Sequence, residues 1–411
     1  MSHLRLFLLS CCCWAATLGT ARAQGKLTGM VQDSVTREPL AFASVFLANT
    51  TLGVTTTEKG EFVFPRVPAG IYDVVGSYVG YRLGKQSVTM GPAAQRVTLN
   101  LGPTGTQLGE VVVKPEPNDS VQYQKFAELL LGKSAFSAQC RIANPDQVRV
   151  FYDDSTGELR ARTKRFLQID NEALGYRVKY YNLEFGYADD DKSMYYYGEP
   201  VFEEMTPRDE QQQQQWAANR YTAYTGSFMH FLRSVYRNRL RADGFLTQQV
   251  RVRPNRAYAR AGRLRQNLLA RRPDGRFTAA EQDSLDRLGA VAPMVALLNP
   301  TPRPIDSLRR VSADGKRVYL RFRDELQVAH FGEAPDPHYP HPMSPLGASR
   351  KPYPAQQQVS RLKLRDREAE IQANGSVVNP DDVLNAEYWA FEKIGEFLPI
   401  DYVPPASAPT P

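Results

Sequence analysis

The chain has 411 residues, with 51 Lys and Arg against 44 Asp and Glu, which gives a formal net charge of +7. Hydrophobic residues make up 42% of it and charged residues 23%, a balance typical of globular proteins rather than disordered or fibrous ones. At roughly 100–200 residues per domain, the length predicts two or three domains. Beyond the N-terminal segment the longest apolar run is Val291–Leu298. That is far short of the ~20 residues of a membrane-spanning helix, so a multi-span helical membrane protein is excluded.

Residues 1–23 have the pattern of a secretory signal peptide. Arg5 gives a positive start, Leu6–Leu18 is an apolar stretch, and Ala21-Arg22-Ala23 has the small residues of a cleavage site. Cleavage there makes Gln24 the new N-terminus. This pattern predicts an exported protein of the periplasm or one associated with the outer membrane.

The cysteines are concentrated in this leader. Leu8-Leu9-Ser10-Cys11 resembles a lipobox, which leaves open the alternative that Cys11 becomes a lipid-modified N-terminus. Cleavage after Ala23 instead removes Cys11, Cys12 and Cys13 and leaves Cys140 alone, so no internal disulfide can form. We expect Cys140 to be a buried small hydrophobic residue.

Between Lys26 and Val113 the chain alternates polar and apolar residues in short segments separated by turn residues. This spacing predicts an antiparallel β-sandwich over residues 25–115. Gly60 and Gly70 lie where a turn is expected to need a positive φ. The predicted strands are Leu27–Val31, Ala43–Leu47, Val54–Thr57, Glu61–Phe64, Tyr72–Tyr78, Ser87–Met90, Val97–Leu101 and Val111–Val113.

The same segment contains a set of spaced motifs. They are Gly29-x-Val31-x-Asp33, Pro39-Leu40-x-x-Ala43-Ser44-Val45, Gly53-x-x-Thr56, Gly60-x-Phe62, Pro68-Ala69-Gly70-x-Tyr72 and Ser77-x-x-Gly80-Tyr81. On these residues it resembles the carboxypeptidase-regulatory-like domain of exported Bacteroidota proteins. The resemblance implies an all-β transthyretin-like or immunoglobulin-like sandwich that is a non-catalytic scaffold or binding module. In many members the domain precedes a TonB-dependent transporter, but too few residues follow position 115 for one. The resemblance therefore implies an accessory module with an envelope protein or a glycan as its partner.

Residues 119–402 are predicted to form an α+β domain, so the chain is multi-domain, with an all-β module first. Residues 403–411, VPPASAPTP, are predicted to be a disordered tail. The predicted strands are Val148–Tyr152, Arg160–Ile169, Arg177–Phe185, Met194–Phe202, Arg317–Val328 and Ser360–Ala373. Helices are predicted from about Ser120, over 208–219, 227–240 and 278–288, and as a closing helix at Ala386–Phe397.

This second domain resembles the region that follows the same module in other exported Bacteroidota proteins, a resemblance that implies no particular activity. The matching residues are Leu174-Gly175-Tyr176, Gly226-Ser227-x-x-His230-Phe231-Leu232 and Trp389-x-x-Glu392-x-x-Gly395-x-x-Leu398-Pro399. Within them, His230 is expected to be a polar-face or interface histidine, with Arg233 and Arg237 on the same helix face.

His330 and Glu333 have the His-x-x-Glu spacing of zinc carboxypeptidases, and His338 and His341 follow shortly after. Imidazole and carboxylate groups bind Zn²⁺, and a catalytic zinc needs three such ligands and a water. These four residues are the candidate metal ligands, and one alternative function is a metal-dependent peptidase or hydrolase. That family takes its third ligand from a His far downstream, but no His follows His341. The Pro-rich window 335–354 favours a solvated loop instead.

Residues 233–276 contain thirteen Arg, two Asp and no Lys. Arginine forks match phosphate and carboxylate groups, so Arg251, Arg253 and Arg256 are candidate anion-binding residues. A second alternative function is therefore binding of an anionic glycan or lipopolysaccharide. The other interpretation is a solvated surface paired with acidic residues elsewhere in the domain. Export argues against a nucleic-acid partner.

The sequence has no G-x-S-x-G, P-loop, G-x-G-x-x-G or C-x-x-C motif. We therefore assign no catalytic residue and no cofactor. The leading hypothesis is an exported, non-enzymatic envelope protein that acts as a binding or interaction module.

Overall fold

The computed structural model describes residues 24–104, 119–273, 275–340 and 357–407. The predicted leader with Cys11, the predicted strand Val111–Val113 and the candidate ligand His341 lie outside these residues. The chain divides into two compact units, Met1–Pro115 with Glu199–Phe202, and Glu116–Gly198 with Glu203–Pro411. Among the described residues, no helix is long and apolar enough to cross a membrane.

The first unit is a β-sandwich of two facing sheets, as the alternating pattern predicts. One sheet has the strand order β4-β1-β7 and the other β3-β2-β5-β6. The strands are β1 (Gln24–Asp33), β2 (Ser44–Leu47), β3 (Gly53–Thr55), β4 (Glu61–Pro68), β5 (Gly70–Ser77), β6 (Gly84–Met90) and β7 (Gln95–Leu101). Alternate side chains of these strands fill the space between the sheets, among them Leu27, Val31, Phe62, Phe64 and Leu99.

Two details of the sandwich differ from the prediction. β1 pairs with β7 in parallel, so the sandwich is not wholly antiparallel. Gly60 has a φ of +71°, as expected, and a Cβ there would lie 2.6 Å from the carbonyl oxygen of Val31. Gly70 is not among the positive-φ residues, because it already begins β5 and pairs with Met90.

The second unit begins with helix α1 (Ser120–Leu131), whose N-cap Asp119 accepts the backbone N–H groups of Val121 and Gln122. A six-stranded sheet follows, in which β12 is the longest strand and β13 pairs along it. Its strands are β8 (Cys140–Ile142), β9 (Val148–Asp153), β10 (Glu158–Thr163), β11 (Phe166–Asn171), β12 (Tyr176–Ala188) and β13 (Met194–Glu204). The predicted strand Arg160–Ile169 is thus divided into β10 and β11, both paired with β12.

Two helices connect this sheet to the next one. They are α2 (Glu210–Tyr224), longer than predicted, and α3 (Phe228–Tyr236), shorter than predicted. Ser227 caps α3 by accepting the N–H of His230, and the helix ends before Asn238, which has a φ of +58°. α3 buries Phe231, Leu232 and Val235 in the main core of the unit.

Two further sheets complete the unit. A five-stranded antiparallel sheet has the order β15-β14-β18-β19-β21, and a three-stranded sheet has the order β16-β17-β20. Their strands are β14 (Phe245–Pro254), β15 (Met294–Pro302), β16 (Arg309–Val311), β17 (Val318–Arg321), β18 (Glu325–His330), β19 (Gln358–Leu364), β20 (Glu368–Ile371) and β21 (Val383–Glu387). The remaining helices are α4 (Arg256–Ala270), α5 (Ala279–Gly289), α6 (Ile305–Leu308) and α7 (Tyr388–Phe391). Short 3-10 helices occur at Ser137–Gln139, Pro145–Gln147, Pro380–Asp382 and Ile394–Glu396.

The predicted closing helix Ala386–Phe397 is wrong. Ala386 and Glu387 pair with β19, Glu387 has a φ of +64°, and only the single turn α7 follows before the backbone extends at Lys393. Tertiary packing overrides the helical pattern here, because Trp389 and Ile394 are both buried. Of the predicted tail, the described residues 403–407 form neither helix nor strand.

Candidate functional site

His330 ends β18 inside the core rather than on an open surface. Its imidazole is only 3% exposed and lies between the rings of Phe245, 4.7 Å away, and His230, 5.8 Å away. Burial lowers the pKa of His330 to about 4, and burial together with His330 lowers the pKa of His230 to about 4. Both imidazoles are therefore neutral at pH 7.

Glu333 has different neighbours from His330. Burial, together with the charge of Glu396, raises its pKa to about 8. Glu392 and Glu396, which follow α7, have pKa values raised mainly by burial, that of Glu396 to about 7. These three glutamates, here called the acidic cluster, hold protons more tightly than glutamates in water because their charges repel and are partly removed from solvent.

Gln358 lies between the two histidines, His230 and His330, and the acidic cluster. Its side chain bonds to Glu333, and its Oε1 has no hydrogen-bond partner among the described residues. A Cβ on Gly226 would lie 2.1 Å from that oxygen and 2.9 Å from His330 Nδ1, and Gly226 has a φ of +79°. Only glycine fits at position 226, because the backbone there comes so close to Gln358 and His330. The N–H of Gly226 donates to His230 Nδ1.

The candidate metal ligands do not form a ligand set in the part of the chain that the structure describes. No three His, Cys, Asp or Glu side chains come together there as metal ligands. His338 is mostly exposed, and its Nδ1 lies 2.9 Å from Asp336 Oδ1. His341 lies outside the described residues.

The Arg-rich segment contains an inserted helical hairpin. β14 and β15 continue past the sheet as a two-stranded ribbon, with Arg251 opposite Leu297 and Arg253 opposite Val295. α4 and α5 occupy the end of this ribbon and pack on each other, with Ala261 of α4 and Leu285 of α5 buried. Of the predicted anion-binding residues, Arg251 and Arg253 are exposed on β14, and Arg253 pairs with Asp324 at 3.3 Å.

Arg256 belongs instead to a stripe on α4 that the prediction did not single out. Arg256, Arg260 and Arg263 of α4, with Arg271 at its C-cap, recur at helical spacing on one side of the helix, and we call these four residues the arginine face. All four are exposed, and none makes an ion pair with another described residue. Like charges at this spacing cost a helix about 0.2–0.5 kcal/mol per pair, and positive charges oppose the helix dipole in the first turn.

A cavity of about 390 Å³ lies between α4 and α5 beside this face. Leu264, Leu268 and Leu288 give it an apolar lining, Arg271 supplies positive charge, and Arg287 is paired with Asp283. The side chain of Leu264 is 45% exposed although it is apolar. The hairpin thus combines cationic groups with an apolar recess.

Arg233 does not belong to this surface, although it lies in the same Arg-rich segment. It is 2% exposed, and its guanidinium donates to the backbone carbonyl oxygens of Asn374, Ile400 and Tyr402 at 2.8, 3.0 and 3.0 Å. The expectation that it shares a polar helix face with His230 is wrong, because Arg233 points into the unit and holds its C-terminal segment.

Comparison with known proteins identifies the first unit. Residues 27–113 match the family described as CarboxypepD_reg-like domain. This confirms the resemblance found in the sequence, and the chain contains a carboxypeptidase-regulatory-like β-sandwich followed by an α+β region. No curated protein matches the chain.

Several solved structures resemble about a fifth of the chain. They include a pilus 2b backbone protein of group B streptococcus (20% identity, 20% of this chain and 42% of that one, TM-score 0.18). The shaft pilin SpaA of Lactobacillus rhamnosus GG is similar at 14% identity over 20% of this chain and 47% of that one, with a TM-score of 0.17. A Pseudomonas aeruginosa protein proposed to bind carbohydrate is similar at 14% identity over 21% of this chain and 93% of that one, with a TM-score of 0.17. The match thus spans less than half of either pilin, and these scores support no functional argument.

Proposed function

We propose that the chain is an exported, non-enzymatic binding protein of the cell envelope, and that the α4–α5 hairpin binds an anionic glycan such as lipopolysaccharide. The observation that supports this most is the arginine face, whose four exposed guanidinium groups have no acidic partner among the described residues. Such a stripe lowers helix stability, so its spacing favours a ligand that neutralises it.

The geometry suits a flexible polyanion. The arginine face extends about 20 Å along α4, at ~1.5 Å per residue, and arginine forks bind phosphate and sulfate-like groups through paired hydrogen bonds. The neighbouring cavity, lined by Leu264, Leu268 and Leu288, offers an apolar contact to a ligand that has both charged and apolar parts.

Export is the second part of the proposal. It is supported by the leader pattern of residues 1–23 and by the carboxypeptidase-regulatory-like domain, which the resemblance links to exported proteins. Intact-mass measurement of the protein from its native envelope fraction tests it. A mature chain beginning at Gln24 is the expected result, and an unprocessed chain in the soluble cell fraction would contradict it.

Binding is tested with the chain starting at Gln24, on heparin resin and with lipopolysaccharide micelles, at increasing salt. A triple variant Arg260→Gln, Arg263→Gln and Arg271→Gln should elute from heparin at clearly lower salt and lose most lipopolysaccharide binding. The matched control changes three exposed arginines of the first unit to Gln (Arg66, Arg82 and Arg96), which alters net charge equally. If both variants lose binding equally, binding depends only on net charge, and the assignment of the site to α4 is overturned.

A further inference from the structure

The open face of the six-stranded sheet has exposed aromatic side chains that the proposed function does not use. On this face Phe151 is 58% exposed, Tyr195 48% and Tyr197 47%. The rings of Tyr195 and Tyr197 lie 5.4 Å apart with an angle of 35° between their planes, so they form one aromatic surface. The opposite face of β10 and β12 is buried by Leu159, Ala161 and Phe185. These three aromatic residues therefore remain outside the core.

The strand register places the aromatic groups in one row across the sheet. Arg160 pairs with Phe151 of β9 on one side and with Gly186 of β12 on the other. The ring of Tyr195 lies over Gly186, because a Cβ at that glycine would lie 2.4 Å from two ring carbons of Tyr195. Two strand spacings separate Phe151 from Gly186, or about 10 Å.

Gly186 has no conformational reason to be glycine. Its φ is not in the positive range, and it occupies a regular position of β12. Glycine in the middle of a strand weakens the strand, so its presence needs a local cause. That cause is the ring of Tyr195, which occupies the space that a side chain at position 186 would fill.

Charged groups on the same face are balanced. Three arginines, Arg149, Arg160 and Arg162, share this face with three acidic residues, Asp153, Glu158 and Glu184. Arg162 lies opposite Glu184 on β12 and opposite Arg149 on β9, and Arg160 bonds to Glu158. A shallow cavity of about 260 Å³ lies among them, lined by Phe151, Tyr152, Asp153, Glu158, Arg160 and Arg162. It is smaller than the ~300–1,000 Å³ of sites for drug-sized ligands, so it suits a single small ring.

We propose that this face, here called the aromatic platform and formed by Phe151, Arg160, Tyr195 and Tyr197, binds a neutral polysaccharide by stacking on its sugar rings. Sugar rings have an apolar C–H face that packs on aromatic rings and a rim of hydroxyl groups that bonds to carboxylates and guanidinium groups. The equal numbers of acidic and basic groups match an uncharged chain rather than an anion. The ~10 Å between Phe151 and the Tyr195 ring requires several linked sugars.

A protein partner fits this face less well. The cores of protein interfaces are depleted of charged residues, whereas each aromatic group here lies beside an ionised side chain. The aromatic platform also differs in charge and position from the arginine face, so a negative result for one proposal does not contradict the other.

Affinity electrophoresis tests the proposal with the chain starting at Gln24, in native gels that contain soluble xylan, mannan, β-1,3-glucan or glycol chitin. Retardation by at least one polymer is expected. Tyr195→Ala and Phe151→Ala should each weaken it about tenfold in Kd. Gly186→Ala should do the same while keeping every aromatic residue, because the new methyl group displaces the Tyr195 ring.

Tyr258→Ala is the matched control, because Tyr258 is 50% exposed on α4, away from the sheet. It should leave retardation unchanged. Circular dichroism and urea unfolding of each variant separate lost binding from lost folding. No retardation by any of the four polymers, or retardation that survives Tyr195→Ala and Gly186→Ala, would overturn the proposal.

Discussion

The indole N–H of Trp389 donates a 2.8 Å hydrogen bond to the carbonyl oxygen of Gly226. Both groups are buried, and the Trp389 ring also packs on Phe228 and Phe231 of α3 at 5.3 and 5.2 Å. This contact joins two motifs that are far apart in the sequence, Gly226-Ser227 before α3 and Trp389-x-x-Glu392 at the end of the chain. It fixes the C-terminal segment against the main core.

Trp389→Phe should lower the free energy of unfolding of the second unit by about 1–3 kcal/mol, because it leaves a buried carbonyl oxygen without a donor. Urea unfolding followed by circular dichroism measures the change. Tyr258→Phe, at an exposed position, should stay within about 0.5 kcal/mol of the parent protein. A Trp389→Phe protein as stable as the parent would show that the hydrogen bond contributes nothing net.

Arg233→Met should destabilise the second unit by at least about 3 kcal/mol, because three backbone carbonyl oxygens lose their charged donor inside the protein. Arg233→Lys should recover only part of this loss, since one ammonium group does not reproduce the fork that reaches Asn374, Ile400 and Tyr402. Hydrogen exchange at residues 400–402 gives a local measure and should accelerate in both variants. Unchanged exchange in Arg233→Met would contradict the anchoring role.

The acidic cluster predicts that stability falls as the pH rises from about 6.5 to 8. Below this range the lowered pKa values of His230 and His330 act in the opposite direction, because only the unfolded histidines bind protons there. In the folded protein burial raises the pKa of Glu333 to about 8 and that of Glu396 to about 7, against 4.5 for an ordinary glutamate. The folded state therefore binds more protons than the unfolded state in this range, and it loses stability when they leave. At ~1.4 kcal/mol per pKa unit, the loss is on the order of 1–4 kcal/mol.

Glu333→Gln should flatten this pH dependence and raise stability at pH 8, because the amide stays neutral. Glu172→Gln, at an exposed position, is the control and should keep the slope of the parent protein. Unfolding free energies at pH 6.5, 7, 7.5 and 8 measure this slope. A parent protein whose stability rises over this range would contradict the effect of burial on these carboxyl groups.

Cys140 should react slowly with thiol reagents in the native protein. Burial raises its pKa to about 12, which suppresses the reactive thiolate, and its Sγ lies 3.5 Å from the carbonyl oxygen of Phe136. Iodoacetamide labelling at pH 8, followed by mass spectrometry of the peptide containing Cys140, should find little modification before unfolding and nearly complete modification after it. Rapid native labelling would indicate an accessible thiol.

The sequence predicted the sandwich well because its signals are local. Alternation along β1, β4 and β7, and the turn at Gly60, depend on neighbouring residues. The carboxypeptidase-regulatory-like motifs lie in the same stretch. The helix predicted over 278–288 likewise formed as α5, which begins with a capping box in which Thr278 and Glu281 make both reciprocal hydrogen bonds.

Predictions that depended on distant partners were less successful. The pattern of Ala386–Phe397 favours a helix, but pairing of Ala386 and Glu387 with β19 prevents one. Nothing local distinguishes Arg233, which is buried, from Arg237, which is exposed. The arginine face was detectable from the spacing of its residues along α4.

The aromatic platform was not detectable from spacing within one segment. Phe151 and Tyr195 share a row only because Arg160 and Gly186 set the register between their strands. A side-chain period of two within each strand does not reveal which strands are neighbours.

The backbone N–H of Asn255 donates to the carbonyl oxygen of Pro293 at 2.8 Å, and its side-chain amide donates to Ala292 at 2.9 Å, so the ribbon closes before the α4–α5 hairpin begins. A short turn from Pro254 to Met294 would connect the same two strands. The hairpin is therefore an insertion between two strands that already pair, and it can be removed or replaced. Excising it, or grafting another element in its place, should leave the parent sheet intact and alter only the binding proposed for the hairpin.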